Sequence, residues 1–135
     1  SKLADGLDLN DVEFESRPYS ASAAYAQSKQ ANRMLTWALA RRLKGTNVTA
    51  NAMSPGPVDT SLLRTLAPGL KGRTTGEGAD TVIWLATSPE VTNLTNRFWI
   101  DRREEPCQFR NVAQEEALWA ICEGMTRKAT SAVPA

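Results

Sequence analysis

The chain has 135 residues, of which 41% are hydrophobic and 23% are charged, and its formal net charge is +1. This composition is typical of a single soluble globular domain and excludes a fibrous or disordered chain. The near-neutral charge offers no basic field for a nucleic acid, and no apolar stretch approaches the ~20 residues of a membrane-spanning helix, so we expect neither nucleic-acid binding nor a membrane span.

The first half of the chain predicts a loop, a long helix and a strand. Residues 1–19 show no sustained period, which indicates a loop. Apolar residues recur on one helical face over residues 20–44, and Gly45 is the expected stop of that helix. The segment 47–60 begins as a Val- and Thr-rich strand, to about residue 53, and then enters the turn Ser54-Pro55-Gly56-Pro57.

The second half predicts a loop followed by a helix, a strand and a helix. Residues 61–73 contain one proline and two glycines, which indicates a mobile loop with a short helical turn. Residues 74–128 predict a helix to Pro89, a strand over 97–100 and a last helix from Val112, with a frayed tail from residue 129. We expect the mixed charges of 102–105 to form a solvated loop, and three aromatic residues to lie in the core: Trp84, Phe98 and Trp119.

The alternation of helices and strands is typical of an α/β protein with a parallel sheet. Parallel sheets are covered on both faces by helices and normally hold about five or six strands. The two strands predicted here are too few, so we expect the end of a sheet whose beginning is missing, a truncated α/β fold.

The chemistry open to this chain is limited, because it has no histidine. Hydrolases that use Ser-His-Asp or Cys-His are excluded, and no metal site is expected. An acid or base must be tyrosine, lysine, aspartate or glutamate. Cys107 and Cys122 form no C-x-x-C pattern, and no secretory signal is visible, so we expect reduced thiols and a cytoplasmic protein.

Tyr25 and Lys29 are the strongest candidates for acid–base chemistry. They lie four residues apart on the first helix, so their side chains share a face about one turn apart. A nearby ammonium favours the phenolate, which brings a tyrosine hydroxyl closer to a useful acid or base at neutral pH. By itself the pair also fits an amphipathic helix with a surface lysine.

The wider context makes the pattern specific. Small residues surround Tyr25-x-x-x-Lys29, and the segments 39–49 and 51–60 follow it. Together they resemble the short-chain dehydrogenase/reductase family, nearest to its retinol-dehydrogenase-like members, from Ser1 to about Met125. The resemblance implies the C-terminal half of a Rossmann-like doubly wound parallel sheet. It also implies an NAD(P)-dependent oxidoreductase that interconverts a carbonyl and an alcohol.

The resemblance also implies roles for individual residues. Tyr25 would donate a proton to a carbonyl or accept one from an alcohol. Lys29 would hydrogen-bond the nicotinamide ribose and favour ionisation of Tyr25. Ser1 would hydrogen-bond the substrate oxygen, or else be an ordinary loop serine.

The segment that follows the first predicted strand would complete the cofactor site. Its pattern is Pro55-Gly56-x-Val58-x-Thr60. The Pro55-Gly56 turn would pass beside the nicotinamide, while the Val58 backbone and the Thr60 hydroxyl would hold the carboxamide. The alternative is a turn without a ligand. Residues 61–73 would form a loop that covers the substrate.

Several features depart from the family or lie outside it. Ser54 stands where many retinol-dehydrogenase relatives have histidine, so the substrate, a small carbonyl or alcohol, is not specified. The Gly-rich phosphate loop and the residue that selects NAD or NADP are not in this sequence, so we expect the chain alone to be inactive. The oligomeric state, homo-oligomers included, is left open. Alternatives are a non-catalytic interaction module on the same scaffold and an unrelated helical binding domain.

Overall fold

A computed structural model describes residues 6–107 and 110–131 of the chain, with side chains up to residue 127. Within these residues the chain forms four helices and three short strands, and a 3-10 turn lies at Pro89–Val91. The order is α1 (Ala21–Arg42), β1 (Ala52–Ser54), α2 (Ser61–Leu66), α3 (Thr75–Thr87), β2 (Phe98–Ile100), β3 (Arg103–Glu104) and α4 (Val112–Ser131). None of the described helices is both long and apolar enough to cross a membrane.

The strands form one sheet in the order β1-β2-β3. β1 and β2 run parallel, with Ala52 opposite Phe98 and Ser54 opposite Ile100. β3 returns antiparallel to β2 after a two-residue turn. The parallel pair confirms the predicted α/β class and argues against an all-helical binding domain, because parallel strands need a helical crossover between them.

Helices cover both faces of this sheet. Phe98 points to α1, where the Arg33 guanidinium lies 4.2 Å from its ring centroid. The next residue, Trp99, points to the opposite face and meets Trp84 of α3 edge-on, at 5.2 Å between ring centroids. Successive side chains of a strand alternate between faces, so β2 is sandwiched between helices, as in a doubly wound sheet.

The main core lies between α1 and α4. Trp37 is fully buried, and Met34 and Leu118 are almost so. Leu7 and Leu9, from the segment before α1, pack against these three residues. Four other apolar side chains do the same: Ala31, Leu35, Cys107 and Cys122. Both cysteines are free thiols.

Ion pairs join the same two helices beside the core. Glu115 of α4 is fully buried and binds Arg41 of α1, and Arg110 lies 3.4 Å from its other oxygen. The neighbouring carboxylate of Glu116 accepts hydrogen bonds from Arg42 (2.6 Å) and Arg41 (2.7 Å). These bonds lower the pKa of Glu116 to about 2. The α1–α4 contact is thus held by charge as well as by burial.

Capping sets the start of α3. The Thr74 hydroxyl accepts a hydrogen bond from the amide of Glu77 (3.2 Å), and the Glu77 carboxylate accepts one from the amide of Thr74 (2.8 Å). Such a capping box satisfies amides that have no partner within the helix. The start predicted after Thr74 or Thr75 is confirmed.

Some predicted elements were wrong in extent. The strand covers 52–54 instead of beginning at 47, because Val48 is 57% exposed and faces no strand. Residues 103–104, expected in a loop, form β3. The last helix continues to Ser131, so the tail does not fray at 129; residues 132–135 lie outside the described part.

The prediction of core aromatics was right only for Phe98, which is 6% exposed. Trp84 and Trp119 are half-buried, and their indole nitrogens donate to Glu90 (3.2 Å) and Glu123 (2.9 Å). The buried tryptophans of the described residues are instead these two: Trp37 and Trp99. An indole has one polar edge, so a tryptophan in an apolar stripe is also suited to the rim of the core.

Candidate functional site

The two residues predicted to exchange a proton lie side by side near the start of α1. The Lys29 Nζ lies 5.3 Å from the centroid of the Tyr25 ring, and both side chains are half-buried. The helix begins at Ala21 because the Ser20 hydroxyl accepts a hydrogen bond from the amide of Ala23 (3.4 Å). The four-residue spacing therefore brings the ammonium against the phenol ring, as the sequence predicts.

Two contacts fix the direction of α1 relative to the sheet. The Arg110 guanidinium lies 4.2 Å from the Trp37 ring centroid and donates to the Asn96 side chain (3.1 Å), just before β2. One turn earlier on the helix, Arg33 lies over Phe98, the first residue of β2. From Trp37 to Arg33 the helix is followed toward its N-terminus, whereas from Asn96 to Phe98 the chain is followed toward the C-terminus of β2. The helix runs opposite to the strand, and its N-terminus lies toward the carboxyl edge of the sheet.

This direction places Tyr25 and Lys29 at the edge where ligands bind in open α/β sheets. Lys29 lies one helical turn, ~5.4 Å, beyond Arg33. Ile100 lies two residues, ~6.6 Å, beyond Phe98 on β2. Lys29 is thus about level with the last residue of β2, and Tyr25 lies one turn further, near the level of the turn that follows β1.

That turn contains Pro55 and Gly56, two of the residues predicted to pass beside a cofactor. Gly56 has a φ of +71°, a conformation that side chains disfavour and glycine adopts freely. A Cβ at this position would also lie 3.5 Å from the guanidinium carbon of Arg73. The sequence predicts the glycine from a close approach to a ligand, and the positive φ gives a second, structural reason for glycine at this position.

The backbone of Val58 is held in an unusual way. Val58 pairs with Arg73 as a single parallel bridge. The bridge uses the amide of Asp59, which donates to the Arg73 carbonyl (2.8 Å), and the carbonyl of Pro57, which accepts from the Arg73 amide (2.9 Å). No hydrogen bond joins the N–H or C=O of Val58 itself to any residue within 6–107 or 110–131. An extended backbone whose neighbours are paired on one side leaves one N–H and one C=O available to a ligand on the other.

Thr60 has a structural role that the sequence did not predict. It caps α2, and its hydroxyl oxygen accepts a hydrogen bond from the amide of Leu63 (3.2 Å). A threonine hydroxyl also has a proton to donate, so capping leaves Thr60 a donor. The loop predicted over 61–73 therefore begins with a six-residue helix, on which Leu62 and Leu66 are exposed.

The end of this loop packs tightly on the Val58 segment. A Cβ on Gly72 would lie 2.5 Å from the backbone nitrogen of Asp59 and 2.7 Å from the carbonyl carbon of Val58. Backbone atoms cannot yield as a flexible side chain can, so the Val58–Arg73 pairing requires glycine at position 72.

We therefore expect Gly72→Ala to destabilise the full-length protein by about 1–3 kcal/mol, the usual cost of overpacking. Gly124→Ala is the matched control, because Gly124 lies within α4 and, beyond the adjacent backbone of its own helix, no atom of the described residues lies within 4 Å of its Cβ position. Alanine there should stabilise by up to about 1 kcal/mol. Denaturant unfolding of both variants measures the difference, and equal effects would contradict the tight contact at Gly72.

An ion pair that sequence analysis missed joins this loop to the sheet. Arg73 binds Asp101, just after β2, with both terminal nitrogens; the Nη2–Oδ2 distance is 2.8 Å. The hydrogen bonds from Arg73 lower the pKa of Asp101, and those to Asp101 raise the pKa of Arg73. The two residues are 28 positions apart, and no sequence period signals the pair.

The remaining predicted site residue, Ser1, lies outside the residues that the structure describes. The structure thus brings Tyr25 and Lys29 together and places them toward the same sheet edge as the 55–60 segment.

Comparison with known proteins gives concordant similarities. A family model described as short chain dehydrogenase matches residues 14–71. Retinol dehydrogenase 14 of Homo sapiens is 39% identical over 140 residues, which cover 93% of this chain and 42% of that protein. Retinol dehydrogenase 13 of Homo sapiens is 38% identical over 117 residues, covering 85% of this chain and 31% of that protein.

A solved structure shares the fold. The crystal structure of an uncharacterized protein from Mycobacterium paratuberculosis superposes with a TM-score of 0.65 and 29% identity, and it covers 90% of this chain and 45% of that one. The chain spans less than half the length of these relatives.

Proposed function

This chain belongs to the short-chain dehydrogenase family, and we propose that it forms the proton-transfer half of an oxidoreductase that interconverts a carbonyl and an alcohol. The cofactor would be NADP or NAD. The observation that carries the proposal is the pairing of Tyr25 with Lys29 toward the sheet edge at which the unpaired backbone of Val58 also lies.

The residues of this edge suit the chemistry of such a reaction. A bound nicotinamide would supply or accept the hydride. The Tyr25 hydroxyl donates a proton to the carbonyl oxygen in reduction and accepts it from the alcohol in oxidation, which is general acid–base catalysis. Lys29, whose ammonium lies 5.3 Å from the centroid of the Tyr25 ring, would donate hydrogen bonds to the ribose hydroxyls.

The 55–60 segment fits a carboxamide. This group has two N–H donors and one acceptor oxygen, which the Val58 C=O, the Val58 N–H and the Thr60 hydroxyl complement. We keep Ser1 as the residue that hydrogen-bonds the substrate oxygen.

The substrate would be an apolar alcohol or carbonyl. The loop 61–73 presents three leucines that are each more than half exposed, and we propose that they contact substrate: Leu62, Leu66 and Leu70. The retinol dehydrogenases among the relatives make retinol and retinaldehyde natural first substrates. The free thiols of Cys107 and Cys122 support a reducing, cytoplasmic setting.

The proposal is tested on the full-length protein. Loss of nicotinamide absorbance is followed with NADPH or NADH as donor and a panel of apolar and polar aldehydes and ketones, and the 135-residue chain is assayed beside it. We expect turnover by the full-length protein with apolar carbonyls and none by the 135-residue chain, which has no Gly-rich phosphate loop. Full-length protein that binds neither cofactor would refute the proposal. Submicromolar NADPH binding by the 135-residue chain would refute the expectation that cofactor binding needs the Gly-rich phosphate loop, which this chain does not contain.

A further inference from the structure

Arg73 contacts the turn between β1 and α2 in two ways. Its guanidinium covers Gly56, with its carbon atom 3.5 Å from the Cβ position of that residue. Its backbone amide and carbonyl bind Pro57 and Asp59 on either side of Val58 (2.9 and 2.8 Å). Arg73 therefore contacts this turn with its side chain at Gly56, a residue with little conformational restraint of its own, and with its backbone on either side of Val58.

The partner of Arg73 is itself fixed. Asp101 and Arg102 form the turn between β2 and β3, and both have positive φ, 51° and 57°. The amide of Arg102 donates to the Thr81 hydroxyl (3.2 Å), and its guanidinium Nε donates to Asp80 of α3 (2.7 Å). A turn in this conformation persists because surrounding contacts hold it. Asp101 thus provides an anchor built on the sheet and on α3.

We propose that Arg73 and Asp101 are positioning residues for the nicotinamide end of the cofactor. Their ion pair ties the 55–58 turn to the end of β2, and so it holds the Val58 N–H and C=O where the carboxamide would bind. This inference rests on the proposed function. It adds to it that residues which do not touch the cofactor set its affinity at one end only.

The geometry argues against a purely stabilising role for this pair. The side chains are 39% and 51% exposed, and exposed ion pairs contribute little to global stability. What the pair does restrain is local, namely the turn that contains Gly56 and the backbone of Val58. Its loss should therefore affect ligand geometry more than folding.

The test uses Arg73→Gln and Asp101→Asn in the full-length protein. Asparagine tolerates the positive φ of position 101 as aspartate does, so that variant removes the charge with little change of backbone preference. The matched control is Arg64→Gln. Arg64 forms an exposed ion pair with Asp59 (2.5 Å) in the same segment. The three atoms nearest to the Cβ position of Gly56 all belong to Arg73, so Arg64 does not provide this contact.

Affinity is measured for two probes, the intact reduced dinucleotide and ADP-ribose, which lacks the nicotinamide. We expect both variants to bind the dinucleotide about 10-fold more weakly, which corresponds to ~1.4 kcal/mol of binding free energy. Binding of ADP-ribose and the thermal midpoint should not change, and Arg73→Lys should recover part of the loss.

The outcomes separate this inference from the proposed function. If the unmodified protein binds the dinucleotide and the variants behave like Arg64→Gln, the positioning role is wrong and the proposed function stands. If the variants weaken both probes equally, or lower the thermal midpoint in parallel, the pair is structural and the inference is likewise overturned. If the unmodified protein binds neither probe, the proposed function itself fails, and this inference fails with it.

Discussion

Tyr25→Phe in the full-length protein is expected to lower kcat by about 10²- to 10⁴-fold, the range that a positioned acid or base contributes. The substitution removes only the hydroxyl, and the ring that packs under Lys29 is retained. The fold and the affinity for the dinucleotide should therefore be nearly unchanged. Steady-state kinetics with saturating cofactor, together with a cofactor titration, measures the two quantities separately.

The chain offers a matched control in its other tyrosine. Tyr19 lies just before the same helix, is 72% exposed and packs in a T-shaped arrangement with the Phe14 ring, with 5.7 Å between the ring centroids. Tyr19→Phe makes the same chemical change six residues away and should leave kcat unaltered. An enzyme in which Tyr25→Phe turns over as fast as Tyr19→Phe would not use this phenol as its acid. A protein without turnover in either form, whose associations are also indifferent to Tyr25, would favour a non-catalytic interaction module.

Much of the fold was predictable where local signals agree with packing. The apolar period and Ser20 locate α1, whose observed bounds, Ala21–Arg42, lie within the predicted 20–44. The capping box of Thr74 and Glu77 locates α3. Both signals are contained in a few consecutive residues, so they could be detected without the rest of the structure.

The failures arise where tertiary contacts decide. Trp99 is buried because β2 has helices on both faces. Trp119 is half-buried because the Arg42 guanidinium stacks on it, with its carbon atom 4.1 Å from the ring centroid. β3 has only two residues, both exposed, and it exists because the Asp101-Arg102 turn directs the chain back along β2. None of these features has a periodic signature in the sequence.

The same distinction applies to the candidate site. The Tyr25–Lys29 contact follows from helical spacing and could be predicted. Among the described residues the N–H and C=O of Val58 have no partner, because the neighbours of Val58 pair with Arg73, 15 residues later, and no local signal in the sequence predicts that pairing. The position of Arg73 depends in turn on Asp101. Long-range pairs of this kind determine the geometry of the edge.

Glu115→Ala is expected to destabilise the full-length protein by about 3 kcal/mol. Glu115 is fully buried between α1 and α4, where it binds Arg41 and lies 3.4 Å from Arg110. Removing one member of a buried ion pair costs about 3–5 kcal/mol, because the remaining charges lose their partner. The lower end applies here, since Arg41 retains Glu116 and Arg110 retains Trp37.

Two further variants identify the cause of that loss. Glu116→Ala changes the adjacent carboxylate, which is 40% exposed, and water can hydrate the arginines that it leaves; the loss should be clearly smaller. Glu115→Gln keeps the volume and can still accept a hydrogen bond from Arg41, so it should fall between the unmodified protein and Glu115→Ala. Denaturant midpoints at constant slope measure all three. If Glu115→Ala and Glu116→Ala are equally stable, the burial of Glu115 is not what makes this contact between α1 and α4 strong. A larger loss for Glu115→Ala than for Glu116→Ala requires that Glu115, which both helices shield from solvent, contributes most of the electrostatic attraction between α1 and α4.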